Sequence, residues 1–130
     1  MLALARQGYD RVDPPKKMLD VFERGHKAER QAWAKGILKG RAQESVELPV
    51  TGRIWVVGHM DAWESERISE LKSHSEEEYE KPTVSLALWY RYKWQISAYM
   101  LGSGLPLTFH RLLCDEDGNT RGHKQEVFTT

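Results

Sequence analysis

Cysteine is almost missing from this chain: Cys114 is the one thiol in 130 residues. An internal disulfide is thereby excluded, as is any zinc or iron–sulfur site built from several cysteines. Long apolar runs are missing too. No stretch approaches the roughly 18 residues that a membrane-crossing helix needs, and the opening Met1-Leu2-Ala3-Leu4-Ala5-Arg6 is too short for a signal-peptide core. The expectation is a cytoplasmic protein with no membrane partner. Excess charge of one sign is also absent, since 19 Lys and Arg balance 19 Asp and Glu. Bulk attraction to nucleic acid is not indicated, so such a partner would need a local basic surface.

What is present is a globular composition. Hydrophobic residues make up 40% and charged residues 29%, which separates the chain from disordered sequences. Its 130 residues suffice for one domain with a real core, and residues 1–130 are read as that single domain.

A first helix is expected from Asp13-Pro14-Pro15, with Asp13 as cap, to about Leu38, ending before Gly40. Met18, Phe22, His26, Glu29, Trp33 and Ile37 recur at three- and four-residue steps and so share one face. A buried His and Glu on an apolar stripe need polar partners. A backbone carbonyl would satisfy His26, and so would a ligand. Val46, Leu48 and Val50 alternate as a strand, turned by Thr51-Gly52 into a second strand over 53–61. Glu64-Ser65-Glu66 turns that into a third over 67–73, giving an antiparallel meander. Residues 74–83, with four glutamates and no periodicity, read as a mobile, solvated loop. A second helix follows from Thr83 or Val84 to Leu101, stopped by Gly102-Ser103-Gly104, and a hairpin over 107–114 and 121–128 closes the chain. The order α-βββ-α-ββ predicts an α+β domain with a central mixed sheet flanked by helices.

The chemistry concentrates in Gly58-His59-Met60-Asp61 and Ile68-Ser69-Glu70-Leu71-Lys72. Along a strand Ile68, Glu70 and Lys72 share one face, and Ser69 and Leu71 the other. Adjacent strands then bring Asp61 near Glu70, with Lys72 one pleat further on. Two carboxylates at one point repel, and a hard divalent cation with a preference for oxygen ligands resolves that repulsion. A charged hairpin edge that resists aggregation explains the same residues without a ligand. Gln95 and Tyr99, four apart, are neighbours on the second helix; their polar tips suit a nucleic-acid backbone or each other.

Taken in order, Arg24-Gly25-His26, Gly58-His59-x-Asp61, Glu70-x-Lys72 and Gln95-x-x-x-Tyr99 resemble the motifs of the RecB-type branch of the PD-(D/E)XK nuclease superfamily, over about residues 22 to 104. That family includes phage exonucleases and CRISPR-associated exonucleases. The resemblance implies a restriction-endonuclease-like core and a divalent-metal-dependent deoxyribonuclease. It points to an exonuclease of phage or prophage recombination and DNA processing, in the host cytoplasm if viral; the superfamily also includes endonucleases and junction resolvases, which these motifs do not separate from end-trimming enzymes. It also implies Mg²⁺ or Mn²⁺ held by His26, Asp61, Glu70 and the main-chain carbonyl of Leu71, with Lys72 acting on water or phosphate. Gln95 and Tyr99 would bind DNA. Many relatives carry four cysteines around an iron–sulfur cluster, which the lone Cys114 rules out here. In so short a chain a second copy or a partner protein could complete the DNA channel. The alternative is a non-catalytic nucleic-acid-binding or assembly subunit that retains the nuclease fold.

Overall fold

The computed structural model describes residues 15–49, 51–82 and 86–129, with side chains described outside 86–91. Helix α1 (Lys16–Ala34) starts after Pro15, whose carbonyl accepts the Met18 and Leu19 N–H groups. Asp13 and Pro14 lie outside the described residues. The helix ends four residues earlier than expected, because Gly36 takes a φ of +76°. The Gly36 N–H bonds the Trp33 carbonyl and the Ile37 N–H reaches back to Ala32 at 2.9 Å. This pair of bonds is a Schellman stop. It folds Leu38 back onto Ala28 and Ala32, where all three are buried with Ala62, Leu71 and Leu112.

The helix therefore docks by its alanines, not by the stripe expected from its large residues. Met18 and Phe22 are 48% and 51% exposed, and His26 is exposed as well. Small side chains let the helix axis approach the sheet closely, and that approach rotates the longer residues outward. Of the stripe, only Trp33 and Ile37 pack against the core.

Among the described residues seven strands follow the sequence order β1 (Arg41–Ala42), β2 (Ser45–Pro49), β3 (Trp55–His59), β4 (Ala62–Trp63), β5 (Ile68–His74), β6 (Leu107–Cys114) and β7 (Thr120–Phe128). Five form one mixed sheet, in the order β1-β4-β5-β6-β7, with β5 and β6 parallel and every other pair antiparallel. The parallel step is made through α2 (Glu76–Glu80) and α3 (Leu86–Ser103). The protein is thus α+β, a mixed sheet flanked by helices. No helix of the described residues is long and apolar enough to cross a membrane.

The expected meander is broken in two. Strands β2 and β3 form their own hairpin, Ser45↔His59 to Pro49↔Trp55, while β1 and β4 belong to the main sheet. The two pieces are one ribbon, kinked where Gln43-Glu44 face Met60-Asp61. Across the kink the Met60 N–H still bonds Glu44 (3.0 Å) and the Gln43 N–H bonds Asp61 (3.4 Å). Gln43, at φ +54°, is the one non-glycine residue in the left-handed region among the described residues. The kink swings the hairpin onto α3, where Val46 and Met60 are buried with Ile68, Tyr92, Ile96, Tyr99, Leu107 and Phe109. Ile54, Trp55, Val56 and Val57, beyond that contact, remain exposed.

Two further expectations change. Residues 74–83 are not simply a solvated loop: α2 places three glutamates in its first turn, where the helix dipole favours them, and buries Tyr79. The Arg111 guanidinium and the Lys124 ammonium bond the carbonyls of Glu78, Lys81 and Tyr79 at its end. Helix α3 runs to Ser103, two residues past the expected end at Leu101, and buries Tyr92, Ile96 and Tyr99. Thr83 and Val84 lie outside the described residues, as do the side chains of Leu88, Trp89 and Arg91. The closing hairpin forms over 107–114 and 120–128.

A test of the helix stop follows. Gly36→Ala forces a Cβ into the left-handed region and is expected to cost about 1–2 kcal/mol in urea denaturation. Gly52→Ala serves as control, since its Cβ would meet nothing within 4 Å. Equal stability of the two variants would remove the assigned role of Gly36.

Candidate active site

The kink delivers Asp61 to the point where β4 leaves β5. The two strands pair only as Trp63↔Ile68 and Ala62↔Ser69. From Glu70 onward no strand covers that edge of β5 among the described residues. Asp61 fills the gap. Its Oδ2 accepts the Leu71 main-chain N–H at 2.8 Å, and its own N–H donates to Glu70 Oε1 at 3.0 Å. Each carboxylate is thus tied to the other's strand through a backbone amide. Because the N–H and C=O of a strand residue leave on the same edge, the Leu71 carbonyl also faces the gap.

Glu70 is 2% exposed, and the reciprocal bonds do not offset that burial. Desolvation and the Asp61 charge push its carboxyl up to about 8, against the opposing pull of the Asp61 amide and Lys72. Asp61 is also raised, by burial, although the Leu71 amide and the Lys72 charge act the other way. Lys72 Nζ stands 4.0 Å from Glu70 Oε2 and 5.5 Å over the Tyr92 ring, with its side chain still 30% exposed. One ammonium is insufficient to hold two buried carboxylates ionised.

A third carboxylate belongs to the same electrostatic group. Glu29, on α1, is raised by burial and by Asp61. The Gln43 side-chain amide stands between them, donating to Glu29 Oε1 at 3.2 Å and Asp61 Oδ1 at 3.4 Å. Reading the sequence places Glu29 on one helix face with His26 and gives Gln43 no part. Gln43 carries no motif, and its place depends on a backbone conformation that no residue type announces. His26, on the same helix, is exposed, and its charge pulls the Glu29 carboxyl down against those causes; among the described residues no three His, Cys, Asp or Glu side chains, Glu29 with Asp61 and Glu70 included, stand together as a cation-holding group.

On the other side of the gap, Gln95 Nε2 donates to the Tyr99 hydroxyl (3.1 Å), which donates to the His59 carbonyl (3.1 Å). The two residues therefore bond each other and brace the segment leading into Asp61. Gly58 makes this contact achievable, since a Cβ there would stand 2.6 Å from Tyr99 Cε1. The nearby carboxylates and burial raise the Tyr99 phenol, burial being the larger cause. The structure thus brings together Asp61, Glu70, Leu71, Lys72, Tyr99 and Gln95, adds Glu29 and Gln43, and places His26 exposed on α1.

The raised Glu70 carboxyl has a stability consequence of definite sign. The unfolded chain releases this proton near pH 4.5, whereas the folded protein retains it to about pH 8. Rising pH across that window therefore disfavours the metal-free fold. In EDTA, Glu70→Gln is expected to gain stability over the native protein progressively from pH 5 to pH 8, by on the order of a few kcal/mol at the upper end. Urea denaturation at stepped pH reads the difference, and a gap that does not change with pH would contradict the assignment. Comparison with protein-family models and with curated proteins finds no match to this chain.

Proposed function

We propose that this chain is a divalent-metal-dependent deoxyribonuclease with a PD-(D/E)XK-type core. The observation that carries the reading is the interlocked Asp61–Glu70 pair, on two diverging strands, beside Lys72 at an uncovered strand edge. A purely structural hairpin edge would leave such charges in solvent, whereas here they are drawn inward at a cost that drives Glu70 toward its neutral form. The donor set is oxygen only and in excess of positive charge, which fits a hard cation of the Mg²⁺ or Mn²⁺ class. Asp61, Glu70 and the Leu71 carbonyl would hold it. When bound, such an ion supplies Lewis acidity toward a phosphoryl oxygen and makes water a stronger acid.

The chain's own residues account for the rest of the chemistry. Lys72 holds a compact positive charge beside Glu70, at the open end of the gap, where a phosphoryl group gaining negative charge would be stabilised. Its ammonium is also placed to orient the attacking water. The hydrogen-bonded chain from Gln95 through Tyr99 to His59 fixes the backbone that carries Asp61, and it presents two polar groups to a bound strand. Deoxyribonucleic acid as substrate and work on phage or prophage DNA come from the motif resemblance; attack from an end is our choice within a superfamily whose motifs serve internal cutting as well.

Degradation of linear DNA in Mg²⁺ or Mn²⁺, abolished by EDTA, tests the reading. Asp61→Ala and Lys72→Ala are each expected to lower the rate at least about 100-fold, while Lys72→Ala retains Mn²⁺ binding. Closed circular DNA left intact would mark an exonuclease. Undiminished cleavage by Lys72→Ala would remove the lysine from the chemistry, and no metal-dependent cleavage by the native protein would sink the proposal.

A further inference from the structure

Trp94, on α3, is 72% exposed, more than any other large apolar side chain among the described residues. It lines a groove of about 300 Å³ between α3 and the β2–β3 hairpin. Close contact of Val46 with Gly102 and of Gly58 with Tyr99 seats the hairpin on the helix, and the groove opens beside these contacts. Val46 and Val56 give it a hydrocarbon wall from the hairpin, and Ala98 with the Trp94 indole a wall from α3. No charged side chain lines it among the described residues; its polar lining is the Gln95 amide and the Tyr99 hydroxyl. Those two groups are also the brace of the candidate active site. Gln95 donates to Tyr99, and Tyr99 to the carbonyl of His59, two residues before Asp61. Groove and carboxylate pair are therefore continuous through one side chain.

Resting on the hydrolase reading, we propose that this groove seats one unpaired nucleobase of the substrate, with the Trp94 indole as its stacking face, and that the protein takes single-stranded DNA in preference to duplex. In a duplex each base is already stacked and paired, so only an unpaired base presents its ring to an aromatic side chain. The groove has the volume of a small single-ligand pocket, too small for a double helix. Uncharged walls offer a phosphate no partner and suit a flat, uncharged ring. Positive charge stands outside them: Lys93 Nζ lies 5.0 Å from the Trp94 ring centroid, and Lys72 lies at the carboxylate gap. Phosphates on either side of a seated base would meet these ammonium groups. The balanced net charge gives the chain no bulk attraction to DNA, so stacking is the contact left to supply affinity. An apolar side chain from a second copy would match the walls but would set hydrocarbon against the Gln95 amide. A base edge offers that amide donors and acceptors.

Fluorescence anisotropy of a labelled oligothymidylate, in EDTA, reads binding without cleavage. Trp94→Ala is expected to weaken binding at least about fivefold. Trp94→Phe keeps a stacking ring and is expected to lose less; equal loss in the two variants overturns the stacking role. Trp55→Ala removes another exposed indole, one outside the groove, and is expected to leave binding within about twofold. An abasic strand of the same length and a blunt duplex are each expected to bind the native protein at least about fivefold more weakly than oligothymidylate. Native binding by Trp94→Ala, equal binding of the abasic strand or the duplex, or no binding of oligothymidylate overturns the seat. So does a dimer in sedimentation that Trp94→Ala dissociates, which makes the groove an interface between copies. Digestion in Mn²⁺ keeps the two readings apart. Trp94-dependent binding of single strands without any cleavage defeats the hydrolase and leaves the seat standing. Metal-dependent cleavage of single strand and duplex at equal rates, unchanged in Trp94→Ala, does the reverse.

Discussion

Two hydrogen bonds, Leu71 N–H to Asp61 Oδ2 and Asp61 N–H to Glu70 Oε1, hold the rest of the arrangement to its shape. They stand where a strand pair would otherwise continue. Strand β4 leaves β5 after two residue pairs, and without substitute partners the backbone amides there would lack acceptors. Carboxylates supply them. The sheet can therefore open at this point without stranding main-chain donors, and the opening exposes an edge beside two acids and an ammonium. Structural need and chemical potential coincide in the same two carboxylates.

That coincidence explains why burial and charge are tolerated together. A buried carboxylate is ordinarily expelled or neutralised, yet Glu70 is retained in a strand whose neighbours Ile68, Ser69 and Leu71 are also buried. The strand is covered by α3 on the face that Ile68 shares and by α1 on the face of Leu71. Glu70 cannot turn to solvent without pulling β5 from between its two helices. The energy of the packed layers is what confines the acid, and the confinement is what makes its proton so tightly held.

The sequence made much of this legible, and the misses have physical causes. Alternation and turn residues placed β2, β3, β5, β6 and β7 well, because period-two patterns survive wherever at least one strand face is packed. Asp61, Glu70 and Lys72 were readable as a group since strand geometry alone brings them close. The first helix was misjudged on two counts. Apolar size suggested the stripe through Met18 and Phe22, but close approach selected Ala28 and Ala32; and Gly36, not Gly40, ends the helix because only the former takes the left-handed turn with both return bonds. The same error placed His26 inward. The acidic segment looked featureless because its order comes from distant partners, Arg111 and Lys124, that no local pattern reveals. Gln43 was invisible for a similar reason, being defined by a dihedral angle and two neighbours remote in sequence.

The kinked ribbon has a mechanical meaning. Its outer part, five paired residues on each strand, behaves as a stiff arm with a surface of Ile54, Trp55, Val56 and Val57 turned to solvent. Its inner part ends in Ala42 and Ala62, clamped in the main sheet. Between arm and clamp lies a fulcrum only two residues wide on each strand, and Asp61 rides on it. The arm is seated on α3 through close contact of Val46 with Gly102 and of Gly58 with Tyr99, so its seat and the place of Asp61 beside Glu70 are set by one ribbon.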